Sequence, residues 1–334
     1  MSSERPTNRR ILVTGVGANP GFGLTRSLQR LGHRVIATDA HPLAPGLLLP
    51  GTQPRVIPRA DEPDYPEAVA ELCRELAVDA VVAGIENDIP PLVTMAPGLE
   101  ASGVRLWLPD AASVRTCIDK AEFHDVLTEH GIDTPRTYRP DEIDQVPDGT
   151  ELVVKPRRGH GAQGVHFCER REQARVLCEL VPDALVQARV RGREFTADCL
   201  VDRTGRASVI LRRRDLVKAG LSAVSTTFHD STVCSLVERT LSAVRATGLS
   251  CVQGFITDRG TVTITELNVR AAGGFPLTEA AGADLVGQMV HGLFGEPVDH
   301  DRLTYRAGMY LTNYVETLAV GDAATLTDPE GGLR

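Results

Sequence analysis

Lys155-Pro156-Arg157-Arg158-Gly159-His160-Gly161-Ala162-Gln163-Gly164-Val165 follows the apolar run Leu152-Val153-Val154 and leads into Val165-His166-Phe167. The flanks read as a strand and its return, so the segment is a glycine-rich hairpin rooted in a lysine. Glycines at these places let backbone amides approach phosphate oxygens, and the lysine adds a compact positive charge. The lysine precedes the glycines and no helix pattern starts after them, which excludes a P-loop. Taken alone, the segment is equally compatible with a plain surface hairpin.

Further along, Thr263-Ile264-Thr265-Glu266-Leu267-Asn268-Val269-Arg270 has the pattern of a strand. Alternation is expected to put Glu266, Asn268 and Arg270 on one face, with Ile264 on the same side behind them. A carboxylate and an amide oxygen two residues apart suit a hard cation such as Mg²⁺ held against phosphates. The arginine next along can meet a transferring phosphoryl group. Strands at Cys251–Thr257 and Thr261–Leu267 are joined by the turn Asp258-Arg259-Gly260, and across this hairpin Gln253 offers another oxygen. A solvent-facing polar strand is the plain alternative for this motif. Strands near Ala184–Val190, Glu194–Val201 and Ala207–Leu211 suggest that the hairpin joins an antiparallel sheet.

Upstream, Val114 to His130 reads as one helix ended by Gly131. Before it, Arg10–Gly15, Arg34–Asp39 and Ala80–Ala83 are strand patterns, and Leu24–Leu31 and Glu67–Leu76 are helix patterns. This alternation predicts a doubly wound parallel sheet over residues 1–110. Its own glycine-rich turn, Gly15 to Gly23, together with Asp39 invites a dinucleotide-binding reading. The third fingerprint glycine would fall at Pro20, however, and none of the three lysines has a tyrosine four residues before it. A tight turn that lets strand and helix pack closely is the favoured reading, and a loop facing substrate at the carboxyl end of the sheet is the other.

The chain of 334 residues is too long for one compact core and suggests two or three lobes. A net charge of −8 argues against nucleic-acid and membrane-surface roles. The seven cysteines are scattered without a Cys-x-x-Cys pair, which suits a reducing cytoplasm. No apolar run approaches a membrane span, and no signal-peptide pattern is read at the start. Of 36 basic residues only Lys120, Lys155 and Lys218 are lysines. In so arginine-rich a background, a lysine can mark a place where a compact ammonium is required.

These features, in this order, resemble the ATP-grasp superfamily, in its carbamoyl-phosphate-synthetase-like and pyrrolysine-ligase-like branch. The likeness runs from about Ile11 to Tyr314. It is carried by Asp119-Lys120-Ala121-Glu122-Phe123 with Gly131-Ile132-Asp133-Thr134-Pro135, by the Lys155–Gly164 hairpin, by Leu185-Val186-Gln187-Ala188-Arg189-Val190-Arg191-Gly192-Arg193-Glu194-Phe195, and by Glu266–Arg270 with Ala271-Ala272-Gly273-Gly274-Phe275-Pro276. The resemblance implies an α/β fold, α+β overall: a Rossmann-like pre-ATP-grasp domain at 1–110, then a two-lobed ATP-grasp domain. Its small lobe would span 111–187 and its large lobe 188–320, with a flexible tail at 321–334.

The resemblance further implies that Lys120 and Lys155 contact ATP phosphates while Gly159, His160, Gly161, Ala162 and Gly164 close over them. Gln187, Ala188 and Val190 would border adenine, and Glu194 would hold the ribose. Glu266 and Asn268, with Gln253, would hold Mg²⁺ or Mn²⁺. Arg270 would stabilise an acyl phosphate, with Lys218 and Arg214 near substrate or phosphate. Departures from the family pattern are Ala188 for a glutamate, Ala162 for a serine, Gln163 for an arginine, Gln253 for an acid and Asn313 for an arginine. The implied activity is ATP-dependent joining of a small-molecule carboxylate to an amine, in a protein that is commonly a homodimer. Carboxyphosphate chemistry, simple phosphorylation and a non-catalytic nucleotide-binding regulator are the alternatives.

Overall fold

The computed structural model describes residues 8–159, 161, 163–218 and 221–313. His160, Ala162, Tyr314 and the expected tail at 321–334 lie outside the described residues.

The first unit is a parallel sheet of β1 (Arg10–Val13), β2 (Arg34–Asp39), β3 (Gln53–Val56) and β4 (Ala80–Val82), in the order β3-β2-β1-β4. Ile11, Leu12 and Val13 are all fully buried, as expected of a central parallel strand covered on both faces. Helices α1 (Asn19–Arg30), α2 (Tyr65–Glu75) and α3 (Ile89–Ala101) alternate with the strands. Proline stands in the first turn of each, where its missing N–H goes unneeded.

Where one helix was expected between Val114 and His130, two are found: α4 (Ala111–Ile118) and α5 (Lys120–Glu129). The break falls at Asp119, whose backbone is extended (φ −91°, ψ 103°) and whose carboxylate accepts from the amides of Ala121 and Glu122. Hydrophobic periodicity runs through the break because a capping aspartate interrupts backbone geometry without disturbing the apolar stripe.

A small four-stranded sheet follows, in the order β5-β8-β6-β7. Its strands are β5 (Thr137–Tyr138), β6 (Leu152–Pro156), β7 (His166–Cys168) and β8 (Ala184–Ala188), with α6 (Arg171–Leu180) against it. A larger sheet is ordered β13-β12-β9-β10-β11-β14. It comprises β9 (Arg193–Val201), β10 (Ala207–Lys218), β11 (Leu221–Thr227), β12 (Gly248–Ile256), β13 (Val262–Asn268) and β14 (Tyr310–Thr312). Helices α7 (Ser231–Ala243), α8 (Pro276–Ala280) and α9 (Leu285–Leu293) complete this part.

The cores show how these parts are joined. One cluster runs from Leu12 and Ile36 through Phe123 and Leu127 to Phe195, Val252 and Leu267, so the parallel sheet and the large sheet share an interior. A second joins Ile11, Val13 and Leu24 to Leu200, Phe275 and Leu285. The small sheet rests on a separate cluster that includes Tyr138, Leu152, Val154 and Val186.

Candidate active site

The β6–β7 hairpin begins where β6 ends at Lys155 and Pro156, and its described glycines Gly159, Gly161 and Gly164 all have positive φ. Around Gly161 no atom lies within 4 Å of where a Cβ would stand. The root of the hairpin is held from outside. Asp119 is fully buried and accepts from Arg157 Nε at 2.6 Å and Arg158 Nη2 at 2.6 Å. Burial pushes its carboxyl up, but the Arg157 hydrogen bond, the Glu122 amide and both arginine charges outweigh that and hold it below the usual range. The next residue, Lys120, donates from Nζ to Gly159 O at 2.6 Å, and its amide donates to Arg157 O at 3.1 Å. The capping aspartate thus places the first expected phosphate lysine directly against the glycine-rich hairpin.

Lys155 is half-buried and, among the described residues, its side chain makes no hydrogen bond or salt bridge. Burial pushes its ammonium down to about 8, with Glu266 opposing the shift and Lys120 adding to it. Glu266 lies across the cleft on β13, directly opposite Gln253 in the β12–β13 ladder, and Asn268 lies opposite Cys251. Asn268 is buried; its Oδ1 accepts from Arg270 Nη2 at 3.2 Å. The expected common face for Glu266, Asn268 and Arg270 is therefore present at 266 and 268, with Arg270 folded back on Asn268.

Ile264 departs from the expectation. The register shifts by one residue between Gln253 and Gly254, leaving Thr265 out of the ladder, its hydroxyl donating to Gln253 O at 3.2 Å. This bulge turns Ile264, fully buried, onto the core face with Leu267, away from Glu266.

Carboxylate and amide oxygens from Glu266, Asn268 and Gln253 are the hard donors that Mg²⁺ takes. Glu266 has no hydrogen bond or salt bridge among the described residues, so its oxygens are uncommitted. The donor set fits the ion. No group of three or more His, Cys, Asp or Glu side chains able to hold a metal occurs among the described residues.

One cleft residue carries no motif that sequence reading could use. Glu86 lies just past β4 and is 7% exposed. Burial raises its carboxyl to about 7; Arg270 and Lys120 oppose the shift and Glu266 adds to it. Glu266 and Lys120 also act on Lys155, so Glu86 is coupled to this cluster by charge although it comes from the first unit.

The remaining expected residues lie at different distances from this centre. Glu194 and Arg214 form an ion pair between β9 and β10, and burial raises the Glu194 carboxyl against the Arg214 charge. Glu194 is also felt by Glu266, which ties the pair to the cluster. Gln187 is buried, and its Nε2 donates to Thr137 Oγ1 at 2.9 Å. The amides of Ala188 and Arg189 donate to Arg136 O and Glu151 O, both at 2.8 Å, whereas the Val190 amide makes no bond among the described residues. Lys218 stands exposed near the end of the β10–β11 hairpin, and no bond or charge contact joins it to the cluster. Arg212 is fully committed: it is 1% exposed, with Nε and Nη2 on Asp198 at 2.6 and 3.0 Å.

The first glycine-rich turn is packed solid. A Cβ on Gly21 would lie 2.3 Å from Gly15 O, and one on Gly84 would lie 2.2 Å from Thr14 O. Strand-to-helix closeness, the favoured reading of that turn, explains these glycines. The turn also abuts the segment after β13: a Cβ on Gly23 would meet Phe275 at 2.9 Å, and one on Gly273 would meet Asn19 at 3.1 Å.

Comparisons with known proteins bear on the family and the fold. The family model for an ATP-grasp domain matches residues 117–274, and that for a PylC-like N-terminal domain matches residues 11–107. No curated protein sequence gives a match. Among solved structures, the biotin carboxylase–β-γ-ATP complex from Campylobacter jejuni has a TM-score of 0.74 at 12% identity, over 90% of this chain and 74% of that one. Carboxyaminoimidazole ribonucleotide synthase from Aspergillus clavatus, complexed with ATP, has a TM-score of 0.72 at 17% identity, over 92% of this chain and 82% of that one. L-amino acid ligase from Bacillus licheniformis has a TM-score of 0.70 at 17% identity, over 90% of this chain and 78% of that one. With a PylC-like unit running directly into an ATP-grasp domain, the chain belongs to the ATP-grasp family of ATP- and Mg²⁺-dependent ligases.

Proposed function

We propose that this protein joins a small-molecule carboxylate, an amino acid or peptide, to an amine by way of an acyl phosphate. The observation that carries the reading is Lys120 held on the glycine-rich hairpin through Gly159 O, with Arg270 bonded to Asn268 on the strand that also carries Glu266; the charges of Lys120 and Glu266 both act on Lys155. A carboxylate oxygen of the substrate attacks the γ-phosphorus of ATP, giving an acyl phosphate and ADP. The amine then displaces phosphate, forming the amide and losing a proton. Lys120 and Lys155 neutralise and align the phosphates, and Arg270 meets the acyl phosphate. Glu266, Asn268 and Gln253 would hold Mg²⁺, which supplies charge neutralisation on the phosphate oxygens. The glycine-rich hairpin, with Gly161 clear of neighbours and Gly159 in no more than ordinary contact with Pro156, covers the phosphates and keeps water from the acyl phosphate.

The linker around Gln187, Ala188 and Val190 receives adenine, with the unbonded Val190 amide as its donor, and Glu194 holds the ribose. Arg214 holds Glu194 in place through their ion pair. The division into 1–110, 111–187 and 188–320 follows the three sheets in this reading. An amino-acid substrate is favoured by the shared fold with the B. licheniformis L-amino acid ligase. A homodimer is the expected assembly, in line with the dimer named for the Hydrogenobacter thermophilus biotin carboxylase domain. Action in the cytoplasm, on small molecules and apart from nucleic acid or membrane, completes the proposal; no helix among the described residues is long and apolar enough to cross a membrane.

The test is incubation of the purified protein with Mg-ATP and pools of amino acids and small amines, following ADP, phosphate and product mass. ADP and phosphate release that requires both a carboxylate and an amine, with a product at their summed mass less water, supports ligation. A phosphorylated product without amide, or ATP binding without turnover in any pool, would overturn it.

A further inference from the structure

We propose that Cys251 is a positioning residue for the cation: its thiol holds the Asn268 side chain so that the amide oxygen, and not the amide nitrogen, faces the ion. This rests on the reading above that Glu266, Asn268 and Gln253 hold Mg²⁺, and adds the group that fixes one of them.

Cys251 and Gln253 stand two apart on β12, and Glu266 and Asn268 stand two apart on β13. Within each pair the side chains therefore share a face of the sheet. The ladder sets Cys251 opposite Asn268 and Gln253 opposite Glu266. Side chains directly opposite have Cβ atoms about 5 Å apart, so the four residues form one square patch. Three corners are the oxygen donors that suit the cation. The fourth is a thiol, 0% exposed, beside an Asn268 that is itself 1% exposed.

A thiol is too soft to be a ligand of Mg²⁺, and its contact with Asn268 gives it a different task. Asn268 Nδ2 donates to Cys251 Sγ at 3.8 Å and meets no other acceptor among the described residues. Asn268 Oδ1 accepts from Arg270 Nη2 at 3.2 Å. An arginine offers donors only, so the oxygen must be the end of the amide toward Arg270 and the nitrogen the end toward sulfur. The two contacts differ in permanence. Arg270 is half-buried and meets the acyl phosphate in the reading above, so it holds Asn268 only while folded back. Cys251 is fixed inside the sheet, between Asp198 of β9 and Asn268 of β13. Asp198 is itself occupied by Arg212 and Thr278, which leaves the sulfur as the acceptor for the amide. A buried N–H without an acceptor is costly. With an apolar group at 251 the amide is free to turn and to present its donors to the ion.

The experiment measures Mn²⁺ binding to the full-length protein in the presence of ADP, read from loss of the free-ion electron paramagnetic resonance signal. Wild type is compared with Cys251→Val, Cys251→Ser and Asn268→Ala. Valine fills the buried position and suits a strand but removes the acceptor, whereas serine supplies one. Cys251→Val weakens Mn²⁺ binding roughly 10- to 100-fold, the size expected for the partner of a metal ligand. Cys251→Ser stays within about 3-fold of wild type, a near-neutral change, and Asn268→Ala loses at least as much as Cys251→Val. An unchanged far-ultraviolet circular dichroism spectrum shows that each variant folds. Wild-type affinity in Cys251→Val beside a weakened Asn268→Ala overturns the role of Cys251 and leaves the cation reading standing. Equal losses in Cys251→Val and Cys251→Ser overturn it too, since packing and not the acceptor would then be responsible. Wild-type affinity in Asn268→Ala overturns the cation reading, and the role of Cys251 with it.

Discussion

The two glycine-rich turns of this chain look alike on paper and do opposite things in space. Both follow a strand and gather several glycines. In the first, Gly21 is a glycine because the Gly15 carbonyl oxygen stands 2.3 Å from where a Cβ would be, and Gly84, just past β4, packs on the same turn with Thr14 O at 2.2 Å from its own Cβ position. In the second, Gly161 has nothing within 4 Å, and the nearest atom to a Gly159 Cβ is 3.9 Å away. Gly21 closes a gap, whereas Gly161 stands in open space, although a Cβ on Gly164 at the return of the second turn would meet Pro156 at 3.1 Å. Glycine count therefore says little about a loop until its neighbours are known, whereas the residue at its root is informative. The second turn begins at Lys155 and is tied to Asp119 and Lys120; the first begins at Thr14 and is tied by Asp39 to the Gly17 amide at 2.7 Å.

The largest expected effect tests that difference at the root. Lys155→Ala lowers ATP turnover about 10²- to 10³-fold, as loss of a group aimed at developing charge does, with the thermal midpoint unchanged or raised. Steady-state ADP release measures it, and turnover within a few-fold of wild type would break the assignment of the second turn to phosphate. Next in size is Gly21→Ala. Forcing a methyl against Gly15 O costs about 3 kcal/mol or more, read as a lower urea midpoint at unchanged m-value. A shift below about 0.5 kcal/mol would mean that the first turn has room for a ligand after all.

Asp119→Asn comes third. Weakening a charge-assisted anchor costs about 1.5–3 kcal/mol and frees the hairpin root, so trypsin cuts after Arg157 and Arg158 roughly tenfold faster. Cleavage at the wild-type rate would show that the hairpin is held elsewhere. Gly161→Ala is the smallest. Its φ of 66° makes alanine unfavourable by about 1 kcal/mol, but no neighbour is struck. A stability loss as large as that of Gly21→Ala would erase the contrast between the two turns.

Much of this site is legible along the chain because its motifs are local. Lys155 with its glycines, and Glu266 with Asn268, announce their chemistry by type and spacing. The Asp258–Gly260 turn forms the β12–β13 hairpin as its residues suggest, with Gly260 at φ 80°. Asp119 was within the quoted segment yet its role was not visible, since an aspartate before a lysine is an ordinary helix cap; what sets it apart is burial against two arginines some 38 and 39 residues on. Ile264 failed for a subtler reason. A one-residue bulge reverses which face a side chain takes, and period-two alternation carries no signal for it.

By itself, then, the amino-acid order determined most of the sheet-forming segments, though not β3, β11 or β14, and the position of both glycine-rich turns. These depend on backbone preference and residue type over a few neighbouring positions. Only the tertiary structure decided that Arg212 is consumed by Asp198, that Lys218 stands apart from the cluster, and that Glu86 is coupled to it by charge from another sheet. A side chain's charge state and availability depend on which partners arrive from elsewhere in the chain and on whether water remains between them. That information is held in packing across roughly 180 residues, from Glu86 to Arg270, and not in any local pattern.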